Sequence, residues 1–250
     1  MWGLRSAVSK KVAVVTGGAR GIGRRIAAEF ASAGYRVAVN CNRSADAAAK
    51  FICELHAGGF EAESFKADVS KSSEVRDMME SIFRKFGRMD VVINNAAVIR
   101  DRTVSKMSDD EWNEVISTDL SAVFYVTREA AKFFTRGGSG GSIVNISSIV
   151  GVRGNVGEAN YAAAKGGLIS LSKSSAIELG GTGIRVNCVL PGFHLTDMGR
   201  AAPEAYYRKN AAESVLKTTT SVDELARFVV FISELQTVSG QVFNVDSRII

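Results

Sequence analysis

Two side chains with complementary chemistry lie one helical turn apart in the second half of the chain. Tyr161 and Lys165 are four residues apart in a segment with helical periodicity, so both lie on one face of the helix. A tyrosine ordinarily titrates near pH 10, and a fixed ammonium nearby stabilises its phenolate form. Bringing that pKa close to neutrality takes about 4 kcal/mol of differential interaction. The spacing indicates a phenol that exchanges protons, although many such pairs on helices are surface coincidences.

A hydroxyl group before this helix adds to the pattern. Ser148 stands thirteen residues before Tyr161 and just after the apolar run from Ile143 to Ile146. A side chain at the carboxyl end of a strand faces the crevice in which open α/β sheets bind ligands. We therefore expect Ser148 to lie in the same crevice as a bound ligand.

A glycine-rich turn near the start of the chain is suited to binding phosphate. Residues 16–23, Thr-Gly-Gly-Ala-Arg-Gly-Ile-Gly, join the first predicted strand to the first predicted helix. Backbone N–H groups and the helix dipole favour an anion there, and glycine lets the backbone approach it closely. The G-x-x-x-G-x-G spacing differs from the commoner dinucleotide fingerprint, so a plain glycine turn is the alternative. Its position predicts a pyrophosphate site formed by Gly17, Arg20, Gly21, Ile22 and Gly23.

The end of the second predicted strand indicates which dinucleotide binds. Enzymes that use NAD usually place a carboxylate there for the ribose 2′-hydroxyl, whereas this chain has Cys41, followed by Arg43. Arg20 lies in the glycine turn, and guanidinium groups pair with phosphate in a bidentate manner. Two arginines without a carboxylate predict a site for a 2′-phosphate and hence NADP(H). The alternative is that both arginines are simply exposed.

The elements that position these residues follow from an alternation of short β-branched runs with longer helical patterns. Strands are predicted at 12–16, 36–40, 61–67, 89–94, 142–147, 184–190 and 242–245. Helices are predicted at 21–32, 45–56, 73–86, 109–136 (in two pieces), 160–179 and 222–233. This alternation predicts one α/β domain over 11–250, a Rossmann-type, doubly wound, mostly parallel seven-stranded sheet with helices on both faces. Residues 1–10 are expected to form a loose tail and 193–220 a mobile substrate flap.

Composition excludes several other classes of protein. The 250 residues are 46% hydrophobic and 23% charged, which excludes a disordered chain. The net charge of +5 is scattered without a basic run, so no nucleic-acid partner is expected. Three cysteines without paired spacing indicate reduced thiols in a cytoplasmic protein, and no metal site is expected. No apolar stretch nears the ~20 residues that span a bilayer, so no membrane partner is expected. A short targeting segment in the basic start is the less favoured alternative.

In their order and spacing these motifs closely resemble those of the short-chain dehydrogenase/reductase family, and within it the β-ketoacyl (3-oxoacyl-[acyl-carrier-protein]) and acetoacetyl-CoA reductases. The resemblance extends over about residues 11–245, nearly the whole chain. It implies an NADP-dependent oxidoreductase that reduces a ketone by hydride transfer. The motifs beyond the glycine turn are Asp68-Val69, Asn94-Asn95-Ala96, Asn145-Ile146-Ser147-Ser148, Tyr161-Ala162-Ala163-Ala164-Lys165, and Pro191-Gly192 with Thr196-Asp197-Met198.

The resemblance also implies roles for individual residues. Tyr161 would protonate the carbonyl oxygen as hydride arrives at the carbon, and Ser148, favoured over Ser147 by its spacing, would hydrogen-bond that oxygen. Lys165 would lower the pKa of Tyr161, and both residues would contact the nicotinamide end of the cofactor. The other implied cofactor contacts are Asn40, Asn42, Arg43, Asp68, Val69, Asn95, Ala96, Pro191, Gly192 and Thr196.

One residue departs from the family pattern inside the predicted site. The family usually has an Asn before a Leu in its central helix, where it completes a catalytic tetrad; this chain has Asp119-Leu120. That Asn acts largely through its backbone carbonyl, which holds a water near the lysine, so a nearly isosteric Asp could preserve the water. The added charge could pair with Lys165 and weaken its effect on the phenolate, or it could join the proton relay. Asp119 is therefore counted among the catalytic residues, and altered activity is expected.

The substrate is less constrained than the chemistry. We expect a 3-oxoacyl thioester or a similar small ketone. The basic residues that often serve an acyl carrier protein are replaced by Ser139-Gly140 and Gly181-Thr182, which leaves that partner open. His194 is expected to be exposed in the flap without a catalytic role. The resemblance implies a homotetramer, although the family's Asp-Gly-Gly near the carboxyl terminus is replaced by Asp246-Ser247-Arg248. The alternative function is a cofactor-binding sensor or scaffold without turnover.

Overall fold

Strands form where β-branched runs are bounded by turns, and helices form where apolar residues recur every three or four positions. The computed structural model describes residues 10–138, 140–194 and 204–250, with the side chains of the last range described from residue 208 onward. The strands are β1 (Val12–Val15), β2 (Arg36–Cys41), β3 (Ala62–Lys66), β4 (Val91–Asn94), β5 (Gly141–Ile146), β6 (Ile184–Leu190) and β7 (Val242–Asn244). The helices are α1 (Gly21–Ser32), α2 (Ala45–Ala57), α3 (Ser72–Phe86), α4 (Asp109–Ile116), α5 (Ala122–Gly137), α6 (Val150–Arg153), α7 (Ala159–Leu179), α8 (Glu204–Glu213) and α9 (Val222–Glu234).

The strands form one seven-stranded sheet in the order β3-β2-β1-β4-β5-β6-β7, and every pairing is parallel. β1 pairs with both β2 and β4, with Ala13 opposite Val37 on one side and Val91 on the other. The chain therefore builds outward from β1 to β3 and then in the other direction from β4 to β7. Loops diverge at this reversal and leave a crevice at the carboxyl ends of the strands. The predicted Rossmann-type fold class is confirmed.

Helices cover both faces because the strands of a parallel sheet are buried on both sides. All four residues of β1 are fully buried. On one face, Phe30 of α1 and Val229 of α9 pack against the strands. On the other face, Met79 of α3 and Phe134 of α5 do so. Within the described part of the chain, no helix has the length and apolar character needed to cross a membrane.

The observed boundaries differ from the predicted ones by a residue or two in most elements, but three features were not predicted. A turn of π-helix at Ser117–Ser121 joins α4 to α5, α6 spans only four residues, and α8 lies inside the stretch predicted to be irregular. The sequence of α8, EAYYRKNAAE, lacks an apolar stripe, so it gives no periodic signal. The predicted tail over 1–9 and the flap residues 195–203 lie outside the described residues.

The carboxyl-terminal segment anchors α8 through a buried charge. Arg248 is only 5% exposed; its Nη1 donates to Asn210 Oδ1 at 2.6 Å, and its Nε donates to Asp246 Oδ2 at 2.6 Å. Just beyond α8, the backbone N–H of Val215 donates to Ser247 O at 3.1 Å. A buried guanidinium is costly unless it is paired and hydrogen-bonded, so these contacts fix the segment after β7 against α8.

Replacing this arginine should loosen α8. We expect Arg248→Ala to lower the free energy of unfolding by about 3 kcal/mol, because it leaves the Asp246 carboxylate buried without its partner. We also expect the substitution to accelerate amide hydrogen exchange in residues 204–216 more than in the strands. Lys209→Ala, an exposed position on the same helix, is the matched control and should change neither measurement. Unchanged exchange in α8 of Arg248→Ala would show that other contacts hold it.

Candidate active site

A cavity of about 860 Å³ opens at the carboxyl ends of the strands, above the point where the strand order reverses. Its volume is in the range of sites that bind cofactors and drug-sized ligands. The predicted residues that line it are Gly17, Arg20, Gly21, Ile22, Asn40, Asn42, Arg43, Asp68, Val69, Asn95, Ala96, Tyr161, Lys165 and Pro191. The predicted residues Gly23, Asp119, Ser148 and Gly192 lie near it without lining it, and Thr196 lies outside the described residues.

The glycine turn is packed so tightly that side chains are excluded at two positions. Gly17 has a φ of +60°, and a Cβ there would lie 2.9 Å from the Cα of Ala96. A Cβ on Gly23 would lie 2.6 Å from the carbonyl oxygen of Gly17. These glycines let the start of α1 and the turn approach the loop after β4, so backbone N–H groups at the helix start face the cavity.

Two asparagines and one threonine brace this turn. Asn40 Oδ1 accepts from Gly17 N at 3.3 Å, and Asn95 Nδ2 donates to Thr16 O at 3.0 Å. Thr16 Oγ1 accepts from the backbone N–H groups of Asn95 and Ala96 at 3.0 and 3.1 Å. Asn40 and Asn95 were predicted as cofactor contacts; both line the cavity, and their side chains also hold the turn in shape.

The end of the cavity beyond β2 carries positive charge. Arg20 and Arg43 are exposed there, and neither forms an ion pair with any residue that the structure describes. Asp68 is the nearby carboxylate: burial alone would raise its pKa, but hydrogen bonds from the Ser70 hydroxyl (2.6 Å) and N–H hold the pKa below its usual value. Asp68 is thus engaged locally, and the two guanidinium groups remain available to an anion.

Tyr161 and Lys165 meet at the other end of the cavity. Lys165 is 3% exposed; its Nζ lies 5.4 Å from the centre of the Tyr161 ring and donates to the carbonyl oxygen of Ile146 at 3.2 Å. The hydroxyl of Ser148 forms a hydrogen bond that favours the phenolate of Tyr161. Ser147 also lines the cavity, but its hydroxyl donates to Lys165 O at 2.8 Å and so fixes α7. The three predicted residues Ser148, Tyr161 and Lys165 are therefore brought together.

Sequence reasoning missed the residue that orients the start of α7. Asn160 is fully buried, its Oδ1 accepts from Tyr161 N at 2.8 Å, and its Nδ2 donates to the carbonyl oxygens of Arg100 and Glu111 at 3.0 and 3.1 Å. These bonds tie the tyrosine to the loop after β4 and to α4. A polar residue directly before the Tyr-x-x-x-Lys pair is the only signal that the sequence offered, and it does not identify partners 49 and 60 positions away.

Asp119 lies behind Lys165 in the π-helical turn. It is 0% exposed; its Oδ1 accepts from Val98 N at 2.8 Å, and its Oδ2 lies 3.3 Å from Lys165 Nζ. Burial raises the pKa of Asp119, against the opposing effects of Lys165 and the Val98 N–H. Burial by itself would lower the pKa of Lys165, but Asp119 and Tyr161 raise it above its usual value. The pairing of Asp119 with Lys165, one of the two alternatives left by the sequence, is present.

The pKa of Tyr161 differs from the sequence-based expectation. Burial raises it, and this effect together with the negative charge of Asp119 outweighs the lowering by Lys165 and the Ser148 hydrogen bond. The chain's own groups therefore keep Tyr161 as a protonated phenol, and they do not by themselves produce the lowered pKa that was predicted. The main reason is burial of the phenol, and the negative charge of Asp119, which lies beside Lys165, adds to it.

His194 is the clearest error of the sequence analysis. It was expected to be exposed, but it is 5% exposed, and its Nδ1 lies 2.9 Å from Thr220 O. Burial lowers its pKa, so the ring is neutral at neutral pH. Two residues earlier, Gly192 has a φ of +81°, and a Cβ there would clash with the hydroxyl of Thr220 and lie 3.1 Å from the Cβ of Asp246. Phe193 and His194 are thus held close to the carboxyl-terminal segment.

A second group missed by the sequence analysis lines the cavity near Tyr161. Arg100 Nε and Nη2 donate to the two carboxylate oxygens of Glu114 at 2.7 and 2.6 Å. Both residues line the cavity and are partly exposed. No motif joins them in the sequence, because one lies in the loop after β4 and the other on α4.

No group of three or more His, Cys, Asp or Glu side chains among the described residues could hold a metal ion.

Comparisons with known proteins agree with this geometry. The family model described as short chain dehydrogenase matches residues 11–206. The chain is 39% identical over 238 residues to a 3-oxoacyl-[acyl-carrier-protein] reductase of Staphylococcus epidermidis, which covers 94% of this chain and 97% of that protein. It is 37% identical over 252 residues to a reductase of the same description from Synechocystis, covering 98% and 99% of the two chains.

A solved structure extends the likeness to three dimensions. The fold superposes on an actinorhodin polyketide ketoreductase variant crystallised with NADPH, with a TM-score of 0.89 and 30% identity over 95% of this chain and 96% of the other. A family model that matches most of the chain, together with relatives that match nearly all of it, settles the membership. The chain belongs to the short chain dehydrogenase family and is an oxidoreductase that acts on a ketone or the corresponding alcohol.

Proposed function

We propose that this protein is an NADPH-dependent reductase of a 3-oxoacyl thioester or a similar small ketone, with Tyr161 as the general acid. The observation that carries the proposal is the meeting of the Tyr161 phenol, the buried Lys165 ammonium and the Ser148 hydroxyl beside one large cavity. The same cavity extends to the glycine turn and to Arg20 and Arg43, which form no ion pair with the residues that the structure describes.

The residues present fit an NADP(H) molecule. Gly17 and Gly23 leave a cradle that a Cβ would fill, so backbone N–H groups can hold the pyrophosphate. Arg20 and Arg43 would bind the 2′-phosphate in place of the carboxylate that NAD enzymes use, and Lys165 would bind the nicotinamide ribose. NADP(H) is the cofactor of this reaction, and the similar polyketide ketoreductase was crystallised with NADPH.

The reaction follows from what each side chain can do. NADPH, when bound, supplies the hydride that reduces the carbonyl carbon. Ser148 donates a hydrogen bond to the carbonyl oxygen and stabilises the charge that develops on it. Tyr161 gives its proton to that oxygen, which completes the alcohol, and Lys165 stabilises the phenolate left behind. Burial of Lys165 strengthens this effect, because charges interact more strongly where water is excluded.

The substrate class rests on the relatives. Those named above are reductases of 3-oxoacyl groups on acyl carrier protein, so a 3-oxoacyl thioester is the favoured substrate. The Arg100–Glu114 pair at the cavity wall is available to contact its polar end. A comparison of kcat/KM for the CoA thioester and the acyl-carrier-protein thioester of one acyl chain decides which carrier is used.

Assembly as a homotetramer is part of the proposal. Ile177 of α7 is 86% exposed, and Phe124 of α5 is 45% exposed. Two long helices with exposed apolar side chains suit an interface between copies of the chain. Light scattering at several protein concentrations measures the mass directly.

A second candidate function is a cofactor-binding sensor without turnover. The ion pair of Asp119 with Lys165 favours it, because the pair weakens the support that Lys165 gives to the phenolate. The two functions differ in one measurement, which is turnover of NADPH in the presence of a ketone.

The first test removes the proton donor. We expect Tyr161→Phe to lower kcat for acetoacetyl-CoA reduction by about 10²–10⁴-fold, since that is the usual contribution of a positioned acid, while the Kd for NADPH changes little. The fall in NADPH absorbance measures turnover, and Tyr125→Phe on α5, outside the cavity, is the control. A wild-type protein that binds NADPH but turns over no ketone would favour the sensor instead.

The second test addresses the choice of cofactor. We expect Arg43→Ala to raise the KM for NADPH by roughly 10–100-fold and to leave that for NADH unchanged, because a charged hydrogen-bonding partner of the 2′-phosphate is lost. Lys50→Ala removes a positive charge from an exposed site on α2 and should affect neither cofactor. Equal losses with NADPH and NADH would contradict the assignment of Arg43 to the 2′-phosphate.

A further inference from the structure

Asp119 is a fully buried carboxylate in direct contact with the ammonium of Lys165. Its two oxygens have different partners: Oδ1 accepts from Val98 N at 2.8 Å, while Oδ2 lies 3.3 Å from Lys165 Nζ. Among the described residues, Oδ2 has no partner in hydrogen-bonding geometry. The contact with Lys165 is therefore an ion pair with imperfect hydrogen-bond geometry.

Burial raises the pKa of Asp119, but the contacts of its two oxygens favour the ionised form. A protonated carboxyl is a donor and needs an acceptor for its proton. The group nearest to Oδ2 is an ammonium, and Oδ1 already accepts from a backbone N–H. Both neighbours are donors, so the site stabilises an acceptor with a negative charge.

The charges around this pair come from four elements. Lys165 of α7 interacts electrostatically with Asp119 of the π-helical turn, with Tyr161 of α7 and with the thiol of Cys188 on β6. Tyr161 faces Lys165, Asp119 and, more weakly, Glu158 just before α7. Of these, Asp119 is the carboxylate that affects the pKa of both Lys165 and Tyr161. It disfavours the phenolate of Tyr161 in two ways: by its own negative charge and by partly neutralising the ammonium of Lys165.

We propose that Asp119 is a positioning residue that sets how strongly Lys165 acts on Tyr161, so that Tyr161 stays a protonated acid to higher pH than it would beside an amide. The inference rests on the proposed role of Tyr161 as proton donor. Its consequence is that ketone reduction persists into alkaline pH, whereas oxidation of the alcohol, which needs the phenolate, begins only at more alkaline pH.

A purely structural role makes a different prediction. If Asp119 only held Val98 in place, an amide would do the same, because the Oδ1 of an Asn accepts the same backbone hydrogen bond. Asp119→Asn therefore keeps the shape and removes the charge. Asp119→Ser is a second variant, since its hydroxyl oxygen also accepts a hydrogen bond and it is uncharged at every pH.

The test is a titration of Tyr161 in the protein without added cofactor. Tyrosinate absorption in the near ultraviolet is measured against pH, and subtraction of the matching Tyr161→Phe protein isolates this one phenol. We expect its transition in Asp119→Asn to move to lower pH than in the wild type. We expect a smaller displacement when Lys165 is already Gln, because part of the effect passes through the ammonium. Asp110→Asn, an exposed carboxylate on α4, should leave the transition unchanged.

Turnover provides an independent readout. The loss of kcat/KM for ketone reduction at high pH should begin earlier in Asp119→Asn, and each pH unit of displacement corresponds to about tenfold less reduction above the transition. A Tyr161 transition that stays in place or rises in both Asp119→Asn and Asp119→Ser overturns the inference. Absence of turnover in the wild type overturns the proposed function, and the titration still decides the role of Asp119.

Discussion

The ammonium of Lys165 is 3% exposed, and a charge so far from water must find its solvation within the protein. It does so from three directions: a carbonyl oxygen at the end of β5, a carboxylate from the π-helical turn, and the ring of Tyr161 one helical turn away. Each of these groups belongs to a different part of the chain or a different turn of α7. The ammonium therefore ties α7, β5 and the α4–α5 junction into one site, and the chemistry of the phenol depends on how that charge is shared.

The parallel sheet determines where this can happen. Because the strand order reverses between β1 and β4, the loops after these strands diverge, and the glycine turn lies at one end of the gap. β5 lies next to β4 and brings Ser148 to the same edge. A polar network beneath the edge keeps the strands in register: Asn94 donates to Asn145 Oδ1, and Asn145 donates to Ser172 Oγ on α7, both at 2.8 Å. Buried amides of this kind are costly unless satisfied, so they specify one arrangement of β4, β5 and α7.

Asp119 changes the balance of charge within an otherwise ordinary member of the short chain dehydrogenase family. A buried carboxylate beside a buried ammonium satisfies both charges, which stabilises their geometry. In the same pairing the carboxylate partly neutralises the ammonium charge, so the ammonium stabilises the phenolate less. Stability of the site and acidity of Tyr161 are thus opposed at this position, and the proposed pH dependence of ketone reduction rests on that opposition.

The sequence alone determined the features that depend on local spacing. The alternation of β-branched runs with helical patterns predicted the sheet, and the four-residue separation of Tyr161 and Lys165 placed them on one face, because strands and helices have fixed periods. Tertiary structure decided the burial of His194, the anchoring of α8 by Arg248, and the distance between Asp119 and Lys165. These depend on partners from distant segments. Burial and the pKa of a buried group are properties of all the atoms around it, and those atoms come together only when the chain has folded.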